Sequence, residues 1–244
     1  MVYNELLFIA GLALIAYFYS SVGHGGASGY LALMALFGFA PESIRYYALM
    51  LNLVVSAVAF VSYYRAGFFR GRIVWPFLIA SMPSAYFGAR LSIDPVAYKI
   101  ILGIMLLIAV LRMLLIRNKE NTSVKDPPYH IAIVTGLLLG FVSGVIGIGG
   151  GILLSPLLIL AGYARIKQAA AASALFIFLN SATGLSGLLS KQIDFRPEVI
   201  YWMLTVLVAG FIGSANGSHS FSELNLKRVL SVILLAASLK LFFF

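Results

Sequence analysis

Apolar runs about 20 residues long recur from one end of the chain to the other, the length an α-helix needs to cross a bilayer core. Short basic or glycine-rich breaks separate them, and the strand-type alternation of an outer-membrane barrel is missing. The pattern predicts helices over 4–19, 43–63, 73–91 and 96–116, then over 130–146, 166–189, 198–213 and 224–243. Two further apolar pieces, 30–39 and 152–161, are only half as long, rising about 15–18 Å each. Pro41-Glu42 is expected to close the first of these. Pro76 and Pro83 are expected to kink the helix that contains them, with neighbouring helices satisfying the freed carbonyls.

A glycine-rich loop precedes each half-length piece. Residues 144–151 hold five glycines in eight positions (Gly144, Gly147, Gly149, Gly150, Gly151) and lead into Ser155-Pro156. A weaker copy, Gly23-His24-Gly25-Gly26, lies 147−23 = 124 positions earlier. Loop, half-helix, spans and a lysine-bearing last span (Lys99, then Lys227) recur in the same order. The polar stretch 117–128 is the evident linker, so the chain reads as an N-terminal membrane repeat 1–116, a cytoplasmic linker and a C-terminal membrane repeat 129–244. Each repeat then crosses the bilayer three times if its glycine loop makes a re-entrant hairpin, or five times if both pieces cross. Both numbers are odd and invert the second repeat relative to the first; only a single broken helix built from both pieces gives parallel repeats. With the linker in the cytoplasm, inverted repeats place 11 of the 17 basic residues inside, and parallel ones 10. The positive-inside rule therefore favours inversion by a narrow margin. The expected fold is an all-α polytopic membrane protein of two inverted repeats, each a glycine-rich broken or re-entrant helix pair plus three spanning helices.

Composition agrees: 61% of residues are hydrophobic and 10% charged, where soluble domains run about 45–50% and 25%. The net charge of +9 is accounted for by basic loops at the membrane surface, so nucleic acid is not an expected partner. Residues 1–5 lack a basic signal region, and the first apolar segment is read as structure. There is no cysteine, hence no thiol chemistry or disulfide. The acidic residues all fall at segment ends or in loops, HExxH is absent, and His24, His130 and His219 share no helical spacing. The chain is therefore expected to be neither an enzyme nor the holder of a metal or cofactor.

The candidate chemistry lies in the loops. Glycine permits unusual backbone and close approach to a ligand, and non-helical backbone inside a bilayer survives only where protein or a watery cavity covers it. The first turn of each half-helix points N–H groups and a partial positive charge back at its loop. Two such ends meeting at mid-depth make an anion site without a buried lysine. The other use of such glycines is close helix packing. Gly23, His24, Gly25, Gly26, Gly147, Gly149, Gly150, Gly151 and Ser155 form the candidate site. His24 is placed either to donate to an anion, to carry a coupling proton, or simply to cap loop backbone. Asn52 and Ser56, four apart, share one helix face, and Ser173 and Asn180, seven apart, another; they supply neutral donors or interhelical hydrogen bonds. Arg45, Arg165 and Lys167 follow the half-helices; their charge can recruit anions, but they read first as interfacial anchors. Small-residue faces also leave room for a homodimer.

Gly144-Val145-Ile146-Gly147-Ile148-Gly149-Gly150-Gly151 running into Leu154-Ser155-Pro156-Leu157 resembles the signature of the sulfite exporter TauE/SafE family of membrane permeases. Gly23-His24-Gly25-Gly26 resembles that family's N-terminal repeat, with His24 and Ala27 departing from it. The resemblance implies a multi-pass permease of the inner or plasma membrane that moves small sulfur-containing or organic anions, such as sulfite or sulfonates. An anion channel and a non-transporting scaffold are the competing classes.

Overall fold

The computed structural model describes residues 2–39, 41–91, 124–189 and 196–222, with isolated positions beyond them. The spans expected over 96–116 and 224–243, and most of the linker, lie outside the described residues. The helices are α1 Val2–Ser21, α2 Ala27–Leu36, α3 Pro41–Arg65, α4 Gly71–Arg90, α5 Tyr129–Ile146, α6 Gly151–Leu160, α7 Ile166–Leu188 and α8 Val199–Ala215, the last continued by a π-helical turn Asn216–Ser220. Among the described residues there is no strand. Helices α3, α5, α7 and α8 are long and apolar enough to cross a membrane, and α1 and α6 contribute shorter apolar stretches.

Most boundaries follow the sequence pattern, with two differences. The first half-helix begins at Ala27, directly off the glycine loop, and ends at Leu36. Pro41 opens α3 instead of closing the piece before it, because proline at a first helical position has no needed N–H and already holds a helical φ. Helix α4 is continuous through Pro76 and Pro83.

Helix directions follow from which residues touch. Gly29 packs on Ile15 and Gly11 on Leu33, and the rings of Phe8 and Phe37 lie 5.1 Å apart. Thus α2 folds back along α1 as an antiparallel hairpin, which excludes a single broken helix. Central to the bundle, α3 and α7 also run antiparallel. Leu49 clusters with Leu188, Asn52 bonds Ser181, and Tyr63 clusters with Ala170 and Ala171. Helix α5 runs parallel to α4, with Gly136, Gly140 and Gly144 set against the backbone carbonyls of Phe77, Ser81 and Ala85. Helix α1 runs parallel to α8 in the same manner, with Gly213 and Gly217 against the carbonyls of Tyr17 and Ser21.

These last two interfaces correspond. Gly88 of α4 meets the carbonyl of Phe141 and Gly213 of α8 meets that of Tyr17; the positions differ by 141−17 = 124 and 213−88 = 125. The first helix of each half therefore packs on the fourth helix of the other half, and the two halves interlock. Small residues allow this, since apolar side chains gain little from leaving lipid and close van der Waals contact must hold the helices together.

The distribution of polarity is that of a membrane protein. Leu6, Leu7 and Leu14 of α1, Ile79 and Phe87 of α4, Leu138 of α5, and Tyr201 and Val208 of α8 point outward and are exposed. His24, Asn52, Ser56, Ser155, Ser173 and Asn180 are all buried.

Candidate functional site

The two glycine loops meet at the middle of the α3/α7 pair. Gly25 and Gly149 both lie against the side chains of Asn52, the twelfth residue of a 25-residue α3, and Ile177, near the centre of the 23-residue α7. A Cβ on Gly25 would coincide with the Asn52 amide oxygen. One on Gly149 would lie 2.7 Å from Asn52 Nδ2, 2.8 Å from Ile177 Cγ2 and 2.8 Å from Ser181 Oγ. Gly149 also holds φ +73°, a conformation that side-chain-bearing residues rarely adopt. The loops approach from opposite ends of the bundle, because Gly23 rests on Ala170 near the start of α7, whereas Gly147 rests on Arg45 near the start of the antiparallel α3.

Asn52 joins the loops. Its Oδ1 accepts from the backbone N–H of Ala27, the first residue of α2, at 3.2 Å. Its Nδ2 donates to the carbonyl of Ile148 at 3.3 Å and to Ser181 Oγ at 2.9 Å. With both amide hydrogens used, Asn52 positions the loops and has no donor to spare for a solute. The other neutral candidates fall outside this junction. Ser56 Oγ bonds back to the Asn52 carbonyl at 2.6 Å, Ser155 donates to Ser173 at 2.6 Å to tie α6 to α7, and Asn180 donates to Ser81 of α4 at 3.0 Å. Gly26 lies on the Tyr30 ring, Gly150 on Phe176 and Ser143, and Gly151 on Ile177.

A cavity with room for about one water opens at the junction, lined by Tyr19, His24, Gly25–Ser28, Ile148, Ile152 and Ile177. The first turn of α2 therefore faces it. His24 Nδ1 lies 3.1 Å from the Val22 carbonyl, whereas its buried Nε2 faces the Gly151 backbone without closing a hydrogen bond. Tyr19 reaches across the loop to Ser28, 2.8 Å between oxygens, and the buried Tyr30 hydroxyl against Gly26 has no partner. Tyr19, Tyr30 and Ile177 escape a reading of the sequence, since apolar and aromatic residues near a loop carry no motif of their own.

Arg45 departs from the expected interfacial anchor. It is half-buried beneath the second loop and donates to the carbonyls of Ala89, at 3.0 Å, and Gly144. Those carbonyls belong to the C-terminal turns of α4 and α5, so the guanidinium offsets two parallel helix-dipole ends. Lys167 does similar work at the opposite end, donating to the Ser218 carbonyl at 3.0 Å over the Phe68 ring.

The sequence profile of the family described as Sulfite exporter TauE/SafE matches residues 7–241. The probable membrane transporter protein y4hK of Sinorhizobium fredii is 36% identical over 231 residues, spanning 93% of this chain and 94% of its own. The probable membrane transporter protein MJ0441 of Methanocaldococcus jannaschii is 33% identical over 119 residues, 48% of this chain and 44% of its own. YunE of Bacillus subtilis, also described as a probable membrane transporter protein, is 24% identical over 199 residues, 73% of this chain and 70% of its own. No solved structure matches the chain.

Proposed function

Because the chain belongs to the sulfite exporter TauE/SafE family of membrane transporters, we propose that it is a secondary transporter of small sulfur-containing or organic anions, working by alternating access around the junction of its two glycine loops. The observation that carries this reading is the convergence of Gly25 and Gly149 on Asn52 and Ile177 at the centre of the bundle. Helix N-termini supply the attraction: the first turns of α2 and α6 start at the junction and bring partial positive charge, and among the described residues that line the cavity there is no lysine or arginine to trap the solute.

Inverted repeats, 1–116 and 129–244 about the linker 117–128, are part of the same reading. Equivalent helices α3 and α7 run antiparallel, and each half places its glycine hairpin at the other end of the bundle. Arg65, Arg70 and Arg72 then share a face with Lys125, Arg165 and Lys167, while Arg45, Arg90 and Arg196 take the other. The richer face is assigned to the cytoplasm of a cell-membrane protein. Two contacts fit this division: Lys125 N–H bonds the Gly162 carbonyl, and Arg196 lies over the Phe39 ring.

The cavity is too small for an oxyanion, so the loops must part to admit one. Pulling the halves apart would break both interlocked interfaces. Rocking therefore moves the bundle of α1, α2 and α8 against that of α4, α5 and α6, with α3 and α7 as the pivot. Counterflow in proteoliposomes tests the carrier: preloaded unlabelled sulfite should drive uptake of labelled sulfite. Flux without exchange would mark a channel, and absence of saturable anion binding a scaffold.

A further inference from the structure

We propose that the loop junction takes up its anion together with one proton, held on Nε2 of His24; this deepens the transport reading above and rests on it. The Val22 contact fixes which nitrogen carries the ring hydrogen. A carbonyl oxygen can only accept, so the 3.1 Å contact to the Val22 carbonyl requires the hydrogen on Nδ1. In neutral imidazole the other nitrogen is then a bare lone pair. That nitrogen is Nε2, on a residue 2% exposed, without a hydrogen-bond partner and in the lining of the cavity both loops share. An anion brought to it is repelled by the neutral ring. Once Nε2 is protonated, His24 donates to Val22 through one nitrogen, and as the loops part the anion takes the place of the Gly151 backbone facing the other. Binding of the anion and of the proton are therefore linked.

The surroundings leave this proton to His24. Helix α1 presents Tyr19, whose hydroxyl is engaged with Ser28, and α2 presents Tyr30 against Gly26. Helix α3 offers Asn52, α6 offers Ile152 and the backbone of Gly151, and α7 offers Ile177, none of which titrates. Arg45 lies beyond the second loop, against Gly147 and bonded to the carbonyls of Ala89 and Gly144. No carboxylate lines the cavity among the described residues. A protonated imidazole beside a monoanion is neutral as a pair, which lowers the cost of carrying the anion through a low-dielectric interior.

Calorimetric titration of the purified protein with ethanesulfonate tests this. Its parent acid is strong, so a proton taken up on binding belongs to the protein. Titrations run between about pH 5 and pH 8, in buffers of differing ionisation enthalpy, count that proton. Wild type should take up close to one proton per anion at the upper end, its affinity falling about tenfold per pH unit. His24→Gln should take up none, with affinity independent of pH; His24→Asn serves where the first variant does not fold. Binding to wild type without proton uptake would overturn the proposal and leave the anion site standing, as would uptake that persists in His24→Gln. Absence of binding by ethanesulfonate, thiosulfate and sulfite at every pH would overturn the anion site as well.

Discussion

Asn52 decides how the site is held together. Its amide serves three partners, 25, 96 and 129 positions away in the chain, so no local pattern announces it as the residue joining both loops. Asn52→Leu, similar in size, leaves the Ala27 N–H and the Ile148 carbonyl without partners in a buried junction. Each stranded group costs about 1–3 kcal/mol. The expected outcome is a clearly lower melting temperature in detergent together with loss of sulfite exchange; unchanged melting would contradict the joining role. Asn52→Asp keeps the acceptor for Ala27, loses both donors and sets a negative charge where the anion is received. It should insert and bind no anion, as read by equilibrium dialysis with labelled sulfite. The glycines are a different matter. They were legible in the sequence because their requirement is written in spacing, and Gly25 shows its physical form: any side chain there displaces the Asn52 amide oxygen.

At the scale of the element, helices and their lengths were largely readable, since apolar runs and glycine breaks mark them directly. Pairing was not. Glycines on α5 at 136, 140 and 144 advertise a close neighbour, yet nothing in their spacing says that α4 of the other half is that neighbour, or that its carbonyls lie in contact. Gly140→Val would drive a methyl-bearing carbon into the Ser81 carbonyl and Ser84 Oγ and should part α4 from α5, lowering thermal stability far more than a valine at the lipid-facing Leu138. The role of Arg45 is hidden for a related reason: a basic residue near a helix start has the sequence context of an interface anchor, and only the tertiary fold brings the ends of α4 and α5 onto it. Arg45→Leu removes the charge that offsets two dipole ends, a loss of about 1–2 kcal/mol. Arg45→Lys should recover part of it, because a single ammonium cannot reproduce the fork. Thermal unfolding of the two variants side by side checks the order.

For the whole molecule, orientation and mechanism share one premise: equivalent parts of the two repeats face opposite sides of the membrane. The natural absence of cysteine makes the orientation measurable without background. Single cysteines at Arg70 and Arg165 should react with an impermeant maleimide only in inverted vesicles, and one at Arg196 only in intact cells. Residues 70 and 165 on opposite sides would mean parallel repeats. The most direct test of the account as a whole is sulfite counterflow with Gly25→Val and Gly149→Val, two substitutions 124 positions apart in the chain (149−25 = 124) whose positions meet at Asn52. With protein inserted and monodisperse, each variant alone should abolish saturable exchange. Wild-type exchange by either one would contradict a site built by both loops.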